Sequence, residues 1–262
     1  MQCPDYMGAL STANVIRELR NQLPQDLASL VCAYALWGEP ADMLIAEASG
    51  GGIWAARWLT REFGLTPDNA RAGNNYALRG ACANGHLVIA QWLTATFGLT
   101  AADARADRNY ALREACANGH LGTAQWLTLT FDFTSGDARA INNYTLREAC
   151  AGGHLGVVQW LVMKFGFSAA DMREYEPNML GVVCERGRLG VARWLTEAFS
   201  LTAEDARDDD NYALHVACEN GHLRTAQWLV DTFGLTALDA SGISAGGCSE
   251  VEQWLKTAFG QN

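Results

Sequence analysis

Along residues 75–108, NYALRGACANGHLVIAQWLTATFGLTAADARADR, the apolar positions fall into two stripes of unequal bulk. Leu78, Ala81 and Cys82 stand at i, i+3 and i+4, which predicts one buried face of a short helix over Tyr76–Asn84. Asn75 precedes it and can cap its free amides, and Gly85 ends it. Leu87, Ala90, Leu93 and Phe97, with Trp92 beside Leu93, predict a longer amphipathic helix. Gly98 then offers a left-handed cap. These are helix A, lined by small side chains, and helix B, lined by large ones. The connector that follows carries Thr100 and Asp103 at capping-box spacing, with Asp in the place of Glu.

The same pattern restarts at Asn109, Asn143 and Asn211, and in deviant form at Pro177. Trp58, Trp92, Trp126, Trp160, Trp194 and Trp228 recur every 34 residues, and Trp254 follows after 26. A fixed period of this size means one supersecondary unit copied and stacked. Unequal wedges packed at crystal-like density should curve the stack, with the A helices on the concave side. The expected fold is therefore all-α, a curved helical repeat solenoid. Its units run about 41–74, 75–108, 109–142, 143–176, 177–210 and 211–242, with a truncated one at 243–262. Thr236–Asp239 should start an abbreviated helix A there, and Glu250–Phe259 a last helix B. Residues 1–40 read as a helical cap, with helices over Ser11–Leu23 and Gln25–Leu36 split by Pro24. The tryptophans, beside the inward Leu of each helix B, are expected in the core. Asp132 and Ser200 replace the capping glycine of Gly64, Gly98, Gly166 and Gly234, so those two helix ends should be looser.

Tyr76-Ala-Leu-Arg-x-Ala81, Asn84-Gly-His-Leu87 and Ala90–Leu93 together resemble the ankyrin repeat, and Asn118–Leu121, Gly153–Leu155 and Asn220–Leu223 repeat the match. The resemblance spans roughly residues 41–260. The period is one residue longer than that family's, and Thr-x-x-Asp turns stand where its hairpin fingers would be. These departures point to short fingers mostly without β-hairpins, and such variant repeats resemble those of protists and large DNA viruses. It also implies a protein-binding module rather than an enzyme.

The charge of −10 and pI near 4.9 disfavour nucleic-acid backbones as partners. No apolar run is long enough for a membrane span, and the N-terminus lacks a secretory pattern. Cys82, Cys116, Cys150, Cys184 and Cys218 form a column too widely spaced for bridges, so they read as buried thiols in a reducing, cytoplasmic setting. His86, His120, His154 and His222 lie one per unit, each on a Gly-His turn, and do not converge on a metal. No phosphate loop, activated nucleophile or zinc motif is present, and no metal or other cofactor is expected. A monomeric chain without enzymatic activity is the expectation.

Positions that change between units face something unrepeated. At the connector tips and on helix A these are Arg79, Arg108, Arg113, Glu114, Arg147, Glu148, Glu174, Tyr175, Glu176, Glu185, Asp208, Asp209, Asp210, His215 and Glu219. Arginines dominate the first half and carboxylates the second, so a protein partner with a basic segment would suit the acidic end. Ordinary solvated variation accounts for the same list. Two other roles stay open: Leu23–Val31 faintly resembles an F-box opening, which implies a ubiquitin-ligase adaptor, and a paralogous repeat protein without a specific partner is the third reading.

Overall fold

The computed structural model describes residues 39–174 and 178–260. The N-terminal cap, with its F-box-like stretch, lies outside these except for Glu39 and Pro40. The chain divides into two compact units, one ending at Ala106 and the other beginning at Asp107. No strand occurs among the described residues.

The first unit holds α1 (Pro40–Gly50), α2 (Ile53–Phe63), α3 (Pro67–Ala83), α4 (Leu87–Phe97) and α5 (Ala101–Ala104). α1 packs on α2 and α3, and α3 packs on α4. α3 joins a connector turn to a helix A, and its backbone leaves the helix at Ala72–Asn75. Leu78, Ala81 and Cys82 are fully buried, as their spacing predicts. On α4 Ala90, Leu93 and Phe97 are buried, while Leu87 is only half-buried and Ile89 takes the core place instead.

The second unit continues with α6 (Ala106–Ala117), α7 (Leu121–Phe131), α8 (Ser135–Ala138), α9 (Ala140–Gly152), α10 (Leu155–Phe165) and α11 (Ala169–Arg173). It ends with α12 (Met179–Glu185), α13 (Leu189–Phe199), α14 (Ala203–Glu219), α15 (Leu223–Phe233) and α16 (Ser249–Phe259). Helix A packs on helix B within a repeat and on the next helix A, as α9 does with α10 and α12. Leu112, Leu146 and Leu214 in the A helices and Leu127, Leu161, Leu195 and Leu229 in the B helices are completely buried. Each such leucine withdraws enough apolar surface to stabilise the fold by about 1.5–3 kcal/mol.

Three sequence expectations need correction. The tryptophans are half-buried, not core. The leucine next in sequence fills the interior, and a one-residue step turns the indole to the helix flank. There it meets the phenylalanine five residues on edge-to-face, with centroids 5.6 Å apart for Trp160–Phe165 and 6.0 Å for Trp58–Phe63. The helix ends at Asp132 and Ser200 are as closed as the glycine ones: both residues sit at φ 51° and donate their amides to Thr128 O and Thr196 O. Lastly, no helix A forms between Leu235 and Cys248. The Thr236–Asp239 turn does form, but Gly242, Gly246 and Gly247 then take positive φ. Gly246 runs so close to the Glu219 carbonyl that a Cβ would meet it at 1.8 Å, which leaves no room for a helix with side chains.

Candidate interaction surface

Each connector begins with a capping box. Thr100 N and Oγ1 both donate to Asp103 Oδ2, at 2.8 and 2.9 Å. Thr134, Ser168, Thr202 and Thr236 repeat the arrangement with Asp137, Asp171, Asp205 and Asp239. The other edge of the carboxylate takes an arginine from 32 residues earlier. Arg71 Nε lies 2.9 Å from Asp103 Oδ1 in the first unit. Arg139 with Asp171, Arg173 with Asp205, and Arg207 with Asp239 do likewise in the second. Several of these arginines also donate to the carbonyl ending the neighbouring helix B, as Arg139 does to Phe165 O and Gly166 O at 3.0 Å. At Asp103 and Asp171 burial opposes ionisation, but the arginine and the Thr or Ser donors outweigh it and hold the carboxyl below its usual range. At Asp205 and Asp239 the arginine hydrogen bond is the largest influence, and Asp239 is pushed down to about 2. These Asp–Arg pairs thus stitch successive connectors together. The first connector carries neutral Asn69, and the place 32 residues before it belongs to Trp37, which has no charge to offer.

The tip that follows is a left-handed turn. Asp107, Arg108 and Asn109 have φ of 54°, 55° and 64°, and Ile141, Asn142 and Asn143 have 54°, 54° and 51°. Asp209, Asp210 and Asn211 match them, as do Gly73, Asn74 and Asn75 in the first unit. The closing residue is always Asn, the side chain that best tolerates this region after glycine. Asn75 therefore ends a left-handed turn and does not cap helix A. The amide of this column is buried, and Asn109 Nδ2 reaches Asp137 O at 3.2 Å. In the repeat that begins at 177 the column holds Pro177, whose ring forbids positive φ. There α12 starts one residue later. Asn178 caps it, accepting from Gly181 N at 3.0 Å and donating to Asp205 O and Asp208 Oδ2 at 2.9 Å.

The expected site residues separate into two groups. Arg108, Asp208, Asp209, Asp210, Glu174 and Glu219 are exposed, and the first four stand on tips. Arg79, Arg113 and Arg147 make contacts within the chain. Arg79 is buried and donates to Asn74 O at 3.2 Å over the Tyr76 ring. Arg113 lies between Tyr110 and Tyr144, 5.6 and 4.9 Å from their centroids, and Arg147 is 5.9 Å from that of Tyr144. Glu114 and Glu148 are half-buried on the helices of Arg113 and Arg147, and Glu185 and His215 are half-buried on α12 and α14. Tyr175 and Glu176 lie outside the described residues. The tyrosine column is the feature that sequence reading passed over, although the repeated Asn-Tyr dipeptide was its signal.

Two of the turn histidines are struts. His86 Nε2 reaches Ser49 O at 3.1 Å, and His222 Nε2 reaches Glu185 O at 3.1 Å. Arg188, on the histidine column, does the same with Ala151 O at 2.9 Å. Burial pushes the thiols of Cys82, Cys116, Cys150 and Cys184 well above their usual range, and that of Cys218 up to about 12. Such thiols are poor nucleophiles. No cluster of His, Cys, Asp or Glu suited to a metal occurs among the described residues.

A family described as ankyrin repeats, in three copies, matches residues 146–240. The crystal structure of the human ASB11 ankyrin repeat domain is similar over 84% of this chain and 98% of that one, with a TM-score of 0.59. The sequences are 22% identical, so this likeness speaks for the fold. No curated protein matches the chain.

Proposed function

Because residues 146–240 are ankyrin repeats and the chain has the ankyrin-repeat fold, we propose that this protein binds another protein through its connector tips and the adjoining turns of the A helices. Ankyrin repeats are protein-interaction modules, and that much follows from the family alone. The left-handed tips carry the finer reading. Asp107–Arg108, Ile141–Asn142 and Asp209–Asp210 are exposed, differ from repeat to repeat, and keep side chains where glycine would be easier. Non-glycine residues in this region cost roughly 1–2 kcal/mol each, a burden that makes sense where a side chain is to be displayed. The surface is acidic around Asp208–Asp210 and suits a basic segment of the partner, by complementarity that sets specificity and association rate. It works without catalysis and without a cofactor.

Changing Asp208, Asp209 and Asp210 together to Lys is expected to release partners captured from the source cell. Changing Glu197 and Asp231, exposed on the B helices, is expected to release none. Equal capture by all three proteins would overturn the tip surface.

A further inference from the structure

Two tyrosines of the second unit stand two periods apart in different company. Tyr144 has two cations. Arg113, from the preceding helix A, lies over the ring with its guanidinium carbon 4.9 Å from the centroid, and Arg147, from its own helix, is at 5.9 Å. Glu114 and Glu148 act on the same phenol, so two positive and two negative groups surround it. Two periods on, Tyr212 replaces Tyr144, Gly181 replaces Arg113 and His215 replaces Arg147. Glu114 and Glu148 give way to Val182 and Val216, while Glu185 and Glu219 appear where Ala117 and Ala151 stood. Asp209 stands in the place of Ile141. Burial first, then Glu185, Asp209 and Glu219, raise the pKa of the Tyr212 phenol, and no described cation lies over its ring.

We infer that Tyr212 is a socket for an arginine side chain of the bound protein, the guest occupying the place that Arg113 fills over Tyr144. Gly181 removes the chain's own guanidinium and opens one wall of a recess lined by Asn178, Gly181, Asp205, Asp208, Asp209 and Tyr212. The recess is narrow, so the guest lies across its mouth on the tyrosine face. A planar guanidinium stacks there as Arg113 does, and its remaining N–H groups point toward Asp209, Glu185 and Glu219. Arginine fits better than lysine, because the ring asks for a flat, weakly hydrated cation and the carboxylates for a donor fork. Asp205 and Asp208 are already engaged by Arg173 and Asn178, which orients them and leaves Asp209 as the carboxylate of the recess lining that can meet the guest. This inference rests on the tip surface proposed above and adds the chemistry of one contact.

The test uses the full chain and three short capped peptides, identical except for a central arginine, lysine or citrulline. Binding is followed by the NMR shifts of the Gly181 and Tyr212 amides. The arginine peptide is expected to move both saturably, the lysine peptide to bind roughly fivefold more weakly, and the uncharged citrulline peptide to move neither. Gly181→Arg should refill the socket from within, as Arg113 does at Tyr144, and weaken the arginine peptide by at least about tenfold. Tyr212→Leu, a second variant independent of the glycine, should weaken it by roughly fivefold. Circular dichroism of both variants should match the parent. Equal binding of arginine and lysine peptides, or undiminished binding to Gly181→Arg, would overturn the socket. The wider tip surface would then still be judged separately, by release of the captured partner on charge reversal.

Discussion

The turn between helices A and B and the tip before helix A both use left-handed backbone, and they use it differently. The A–B turn has one such residue and it is always glycine, at φ 79° for Gly119 and 80° for Gly153. The tip of the second unit has three in a row and no glycine. The glycine turn is closed over by a side chain of the next repeat, so that a Cβ on Gly119 would meet His154 Nδ1 at 2.6 Å. The first two residues of the tip are open to solvent, and only the closing Asn turns inward. A conformation that glycine meets without steric penalty is thus given to glycine where the site is inward and constant. It is given to Asp, Arg, Ile and Asn where the site is outward and variable. The contrast separates what holds the repeats together from what they show.

The strongest way to break this contrast is Gly119→Ala. It adds a Cβ both to a positive-φ backbone and to the space of His154, and should destabilise the fold by about 2–3 kcal/mol in denaturant unfolding. A loss within experimental error would mean that the glycine turn is no more constrained than the tip. The converse change, Ile141→Gly, relieves a β-branched residue at φ 54°. It should raise stability by about 1 kcal/mol and weaken partner capture, whereas Ser200→Gly at a helix end should give a similar gain with capture intact.

The smallest effect concerns the stitching beneath the tips. Asp239 has its pKa lowered to about 2 by Arg207 and Thr236, against about 3.9 in an unfolded chain. A depressed folded pKa contributes stability that is complete above the unfolded value and fades as pH falls through the folded one. Asp239→Asn should therefore be less stable than the parent at neutral pH, and the gap should close between about pH 4 and about pH 2. A gap that stays constant over that range would assign the residue's role to packing instead.

The helix pairs were legible because their signals are local. Leu78, Ala81 and Cys82 share a helical face at any register of the surrounding fold, and Gly98 caps a helix wherever it lies. The tips were not legible for a local reason of another kind. Asn serves equally as a helix N-cap and as a left-handed residue, and Asn75 proved to be the second while Asn178 proved to be the first. The contact of Arg113 with Tyr144 was not legible for a non-local reason: that tyrosine belongs to the next repeat. The tryptophans were placed inside because bulk and period suggest burial, yet one residue of helical phase moves Trp126 from the interior to the flank, with Leu127 completely buried beside it. The carboxylates of Asp209, Glu185 and Glu219 were named as candidates from variation alone. Their convergence on Tyr212 needed coordinates.

Those flanking indoles give the molecule an optical property. Trp92, Trp126, Trp160 and Trp228 each face a phenylalanine edge at 5.7 or 5.8 Å or, for Trp160, 5.6 Å, at interplanar angles between 76° and 78°. These four repeats therefore each carry a fluorophore in nearly the same surroundings, while Trp58 and Trp194 meet their phenylalanines at 6.0 Å and closer to a right angle. Emission from variants keeping one indole at a time would be calibrated against one another from the outset, and any difference between them would report how firmly that repeat is held.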